Sequence, residues 1–240
     1  MKILHSFLQR PRSHSRRERG QSLVEMALTL PVLLLVMAGT LEIGMYYNVY
    51  LSLVDATRES ARYLADQKYD HIDPDNNTSC VPNTTTSAED FFAVGGCDAY
   101  NNLFGVKFDP TTDDIIVSAV TIAKVGGQIT VTARYPLSTD PVPIHQTGGN
   151  PENGWSYCRN ILNGAGCTPA ASLFNNADLV NRLTSYITSA PATGLVIVEI
   201  YHVHHQFLGL IPPNLAFLPQ AVMIHAYSIM PLPSASPPIT

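Results

Sequence analysis

Three groups of residues in this chain have types and spacings that could do chemistry. The first lies near the start, where Gly20 is followed by Gln21, and Glu25 stands four positions beyond Gln21 at the head of an apolar run. Sixteen uncharged residues, Met26 to Leu41, separate Glu25 from Glu42. A carboxylate inside a bilayer is unfavourable, by roughly 2.5–3.5 kcal/mol at the centre and less near an interface. It calls for a cationic partner, and no basic residue follows until Arg58. Hydrolysis of the Gly20–Gln21 bond would create one, because Gln21 would then carry a free amine. An amine of that kind on a neighbouring subunit could pair with Glu25.

The second group is His202, His204 and His205, with His225 further along. In a strand, His202 and His204 project to one side. With His225 on the next strand, three imidazoles could bind zinc or copper. The alternative is a polar rim in which histidines pair with backbone or water. Glu199 alternates to the other face, so it offers no carboxylate base beside His202 and His204. No Gly-x-Ser-x-Gly, His-Glu-x-x-His or paired Cys/His nucleophile occurs. The expectation is therefore a protein that is not an enzyme and holds no cofactor.

The third group is Cys80, Cys97, Cys158 and Cys167, all in stretches crowded with Asn, Gly, Thr and Pro. Four cysteines allow three pairings. Cys80–Cys97 and Cys158–Cys167 each close a short loop, and that pairing is expected. Disulfides point to an oxidising compartment. The spacing lacks the Cys-x-x-Cys of a zinc site. Asn76, Asn77 and Asn83 open Asn-x-Ser/Thr triplets, read as a polar loop.

The elements that must position these groups begin with one long helix. Met26 to Leu41 cover about 24 Å at 1.5 Å per residue, and the flanking apolar residues bring the run to spanning length. The predicted span is 22–47, with an amphipathic continuation over 48–69. Tyr46, Tyr47 and Tyr50 sit where an aromatic belt would form. Pro31 falls inside the helix, which membrane helices tolerate. Lys2, Arg10, Arg12, Arg16, Arg17 and Arg19 precede the span against one acid, Glu18. Positive charge stays inside, so the N-terminus is expected in the cytoplasm and residues 70–240 outside. The continuation carries a helical stripe of Leu51, Val54, Arg58, Ala61, Leu64 and Ala65. Asp55 with Arg58, and Glu59 with Arg62, stand at pairing distance on a helix.

Beyond the helix, 76–102 reads as a long polar loop with a short helix possible around Ala88 to Val94. Ile115 to Lys124 and Gln128 to Tyr135 flank Gly126-Gly127 and read as a hairpin. Pro136 to Gly166 reads as a surface excursion anchored by Trp155 and Tyr157. Thr168-Pro169 reads as the cap and first residue of a helix. Its stripe would be Leu173, Ala177, Val180, Leu183 and Ile187. Leu195 to Phe207 is the strongest strand and Ala221 to Met230 the last. The fold class is α+β, a long N-terminal helix packed on an antiparallel sheet of about four strands.

Charge narrows the function. Fourteen Lys and Arg face nineteen Asp and Glu over the whole chain. After Gly20 the balance is eight against eighteen. A domain that acidic does not bind nucleic acid.

The basic leader, Gly20, the acid five positions on and the apolar helix resemble the processing pattern of type IV prepilins. GQSLVEMALTLPVLLL, followed by LEIG and DATRESARYLA, resembles the TadE-like minor pilins (pseudopilins) of tight-adherence systems. The resemblance covers about Arg16 to Asp66 and rests on Leu30-Pro31, Glu42 to Gly44 and Arg58-Glu59-x-Ala61-Arg62-Tyr63 beside the glycine and acid. It implies removal of residues 1–20 by a prepilin peptidase between Gly20 and Gln21, and a role for Glu25 in assembly. It also implies as partners a major pilin, other minor pilins and an inner-membrane assembly platform, with a final place on an extracellular pilus. Two alternatives stay open: an uncleaved anchor displaying a binding or adhesin module, and a secretory signal cut after Ala38.

Overall fold

The computed structural model describes residues 15–66, 91–138, 147–162, 164–184, 193–206 and 221–232, with side chains from Gln21 onward. They fall into two compact units that divide between Gly44 and Met45. Helix α1 (Ser15–Asp66) runs through both, with Pro31 inside it. In the first unit nearly every side chain from Gln21 to Gly44 is exposed. Thr40 satisfies its hydroxyl locally, on the Val36 carbonyl at 2.8 Å.

In the second unit α1 becomes one-sided. Val49, Leu53, Ala56, Thr57, Ser60, Ala61 and Leu64 are buried, at spacings of three and four. This corrects the expected stripe, because Leu51 and Arg58 stay exposed and Ala56, Thr57 and Ser60 face inward instead. A second helix, α2 (Phe91–Asn101), packs against this side of α1. The Ser60 hydroxyl donates to the Gly95 carbonyl at 2.7 Å. A Cβ on Gly95 would lie 2.4 Å from Leu64 Cδ1, and one on Gly96 2.2 Å from Trp155 Cζ3. Phe91, Phe92, Ala93, Val94, Cys97 and Ala99 of α2 all join the main core. The 91–101 stretch is therefore core helix rather than the polar loop expected from its surroundings.

The sheet contains β1 (Asp114–Val125), β2 (Gln128–Tyr135), β3 (Trp155–Ser156), β4 (Thr193–His205) and β5 (Ala221–Leu232). Its order is β2-β1-β4-β5, all antiparallel, and β3 pairs with β1 at Ile116 and Val117 on the edge that β2 uses further along. The predicted hairpin is present. Gly126 and Gly127 turn it with φ of 60° and 87°, the left-handed pair that a two-residue hairpin loop needs.

Both faces of the sheet are covered. On one face Ile115, Val117, Ala119, Val196, Val198, Ile200, Ile224 and Ala226 meet α1 and α2. On the other, Val120, Ile122, Ile129, Leu195 and Ile197 meet Phe174 and Leu179. Double coverage explains the unbroken apolar run at Leu195 to Val198. Trp155 and Tyr157 are buried anchors as expected. Their segment returns to the sheet as β3 and a turn of helix, α3 (Tyr157–Asn160), rather than wandering over the surface.

The helix expected from Thr168 starts later. Helix α4 is Asn176–Thr184, capped by Asn175, whose Oδ1 accepts from the Asp178 N–H at 2.8 Å. Its buried residue is Leu179 and not Leu173, which is exposed. The backbone of 170–174 is not free to form helix because buried side chains of the sheet bind it, as described next.

Candidate functional site

Two arrangements stand out. One is the surface of α1 before Met45 and the other is a set of buried acids on the sheet.

The Gly20–Gln21 bond lies inside α1, with Gly20 the sixth residue of the helix. Glycine costs a helix about 1 kcal/mol relative to alanine. Gln21 and Glu25 are four residues apart and share a helix face about 6 Å apart along the axis. Glu25 is exposed among exposed Leu23, Val24, Met26 and Leu28. Gly39 and Gly44 would meet nothing within 4 Å if they carried a Cβ. A helix that is apolar on all sides must be covered by lipid or by other helices. Among the described residues this is the one helix long and apolar enough to cross a membrane, and it fits a single-pass anchor.

On the sheet, Asp114 and Glu199 are buried. Asp114 accepts the Ser156 hydroxyl at 2.6 Å, the Cys158 N–H at 3.0 Å and the Ala170 N–H at 2.8 Å. Burial pushes its carboxyl above the usual range despite those donors. Glu199 accepts the Ser172 hydroxyl in a short bond, the Leu173 N–H at 3.0 Å and the Tyr201 hydroxyl at 3.1 Å. His225 Nε2 lies 2.9 Å from the same carboxylate. Arg134, also buried, donates to the Phe174 carbonyl and to Ser118 Oγ. Burial lowers its pKa, while Glu199 and Glu152 act to raise it. Burial and the nearby Glu199 push the Tyr201 phenol up. These groups take up the Ala170 and Leu173 amides and the Ala171 and Phe174 carbonyls, the Asn153 carbonyl accepts the Ser172 N–H, and the Cys158–Cys167 disulfide closes the loop before them.

This geometry corrects the metal reading. His225 stands directly across from Tyr201, which puts it on the Glu199 face and away from His202 and His204. His202 Nδ1 is instead 2.7 Å from Asp113 Oδ2, and the His204 ring meets Tyr46 edge-on with centroids 5.7 Å apart. The three imidazoles do not converge, and no group of three metal-ligating side chains exists among the described residues. The Glu199–His225 contact follows from strand alternation, but only once the register of β5 against β4 is known. Asp114, Glu199, Tyr201 and Arg134 each bind the backbone of 170–174, although Arg134 Nε is buried without a hydrogen-bond partner, so the cluster reads as structural.

Of the cysteines, Cys158–Cys167 is the expected bridge, with Cα atoms 5.9 Å apart. Cys97 is disulfide-bonded too. Its expected partner Cys80 lies outside the described residues, as do Asn76, Asn77 and Asn83.

The family model of TadE-like proteins matches residues 20–62. This stretch is TadE-like. The match begins at Gly20, includes Glu25 and ends within the one-sided part of α1. No curated protein and no solved structure matches the chain. The TadE-like assignment therefore rests on the helix, and the sheet domain stands on its own geometry.

Proposed function

We propose that this protein is a minor pilin or pseudopilin of a tight-adherence pilus, a structural subunit rather than an enzyme. The observation that carries the reading is the TadE-like match over 20–62 on a helix whose apolar surface is exposed on all sides up to Gly44. A prepilin peptidase removes residues 1–20, leaving Gln21 with an amine. The domain stands outside the membrane while α1 spans it, and the subunit then passes to an extracellular filament. In the filament, neighbouring apolar helices replace lipid around α1, and an amine from one subunit meets Glu25 of another. The partners are the peptidase, the inner-membrane assembly platform, the major pilin and other minor pilins. The acidic domain primes, caps or decorates the fibre.

Intact-mass measurement of protein purified from cells tests the processing step. The expected mature chain begins at Gln21. A chain beginning at Met1 would favour the uncleaved anchor carrying a binding module, and one beginning at Gly39 a secreted domain. Glu25→Ala should leave membrane insertion intact and lower incorporation into sheared filaments severalfold. Unchanged incorporation would remove Glu25 from assembly.

A further inference from the structure

The loop between α2 and β1 contains Phe104, 74% exposed and the most exposed large apolar side chain among the described residues. The loop is not slack. The Ser52 hydroxyl donates to the Phe104 carbonyl at 2.7 Å, and the Phe104 N–H donates to the Asn102 carbonyl at 2.9 Å. On either side Leu103, Val106 and Phe108 pack against the main core. Phe108 meets the rings of Tyr100 and Tyr157 edge-on, with centroids 5.5 and 5.7 Å apart. The backbone is thus held inward while the Phe104 ring is held out.

Its position along α1 says what covers it. Ser52 is five residues past Tyr47, about 7.5 Å along the helix. The headgroup layer adds roughly 5–7 Å to each side of the hydrocarbon. Tyr47, Tyr50 and Leu51 are exposed over the same stretch of helix. The loop also carries the exposed Lys107 beside the exposed Asp109, so it is the apolar Phe104, and not charge, that points to lipid. We infer that the loop is a second membrane contact, with Phe104 inserted at the lipid interface beside the aromatic end of the span, so that the domain stands on the bilayer at two points. The inference rests on α1 being a membrane anchor, and not on cleavage or filament entry.

The test uses the full chain in vesicles of phosphatidylcholine and phosphatidylglycerol, carrying Phe104→Trp or Val125→Trp. Val125 is exposed at the far end of β1, roughly 36 Å from Asp114 for a strand of that length. The native Trp155 is buried and contributes equally to both variants. Lipids brominated near the headgroup end of the chain should quench Phe104→Trp at least twofold more than Val125→Trp. Equal quenching would overturn the inference. So would a blue shift of Phe104→Trp that grows with protein density and is indifferent to bromination, since that would mark contact between subunits. Resistance to alkaline extraction checks the anchor separately. Release by alkali would sink the anchor and this inference with it, whereas resistance with equal quenching would sink the inference alone.

Discussion

The two faces of the sheet are buried to the same depth by different means. On one, α1 and α2 bring backbones that satisfy their own hydrogen bonds, so the contact is side chain on side chain, and small residues set how closely the helices approach. On the other, the irregular segment 168–175 brings backbone groups with no helical partners. Asp114, Glu199, Tyr201 and Arg134 receive them. An element that closes its own hydrogen bonds can lie on an apolar surface, whereas one that does not needs polar groups built into the strands beneath it.

The largest effect should come from breaking the polar side. Glu199→Ala leaves Ser172, Leu173, Tyr201, His225 and Arg134 facing an empty site, and should cost about 3–5 kcal/mol in urea unfolding. Glu199→Gln keeps the shape and should cost about 1–3 kcal/mol. In both, hydrogen exchange at the Leu173 amide should accelerate before the strands open. Next is the helix side, where Gly96→Ala forces a methyl into the Trp155 ring and should cost about 1–3 kcal/mol. It should lower the melting temperature and leave Leu173 exchange unchanged under native conditions. If Gly96→Ala loosens Leu173, the faces are not independent.

A smaller effect separates the acids by pH. Burial acts to raise the Asp113 pKa, but hydrogen bonds with His202 and from the Asp109 and Val203 N–H groups outweigh it, so its carboxyl is held below the usual range. A depressed carboxylate stabilises the fold above its unfolded value, about 3.9, and that contribution is lost as pH falls through the lower folded value. Asp114 is shifted upward by burial, and its charge opposes folding as pH rises through its folded value. Asp113→Asn should therefore flatten the acid limb of the stability curve, whereas Asp114→Asn should flatten the rise in stability on mild acidification. The smallest change should be Arg62→Ala. Its contact with Glu59 at 2.5 Å is largely solvated, and loss of such a pair should leave the melting temperature unmoved. The Asp55–Arg58 pair expected beside it is not made.

What the sequence showed and what it hid follow the same division. The span, the hairpin, the strongest strand and the Trp155 anchor were legible because each has a local signature: a period, a Gly-Gly turn or a bulky apolar residue. Helix α2 was legible only in part: a short helix was expected as possible around Ala88 to Val94, but nothing local carries it on through Gly95 and Gly96, beside which Leu64 and Trp155 fill the space. The false helix start at Thr168-Pro169 has good cap chemistry. It loses to Asp114, which is 56 residues away in sequence from the amide it binds. Strand alternation put Glu199 opposite His202 correctly, but nothing local placed His225 against Glu199. At the candidate site, Gly20, Gln21 and Glu25 stand out by spacing along a single helix, and the processing and assembly roles proposed for them await the intact-mass and Glu25→Ala measurements.

The reach of Asp114 has a consequence for the order in which the domain can close. A chain synthesised from its N-terminal end delivers this carboxylate early. The amides of Cys158 and Ala170 that donate to it emerge 44 and 56 positions later. Strand β4, which covers the other edge of β1, comes after them. Until then the middle of the sheet stays wet, and the last third of the polypeptide decides when it dries.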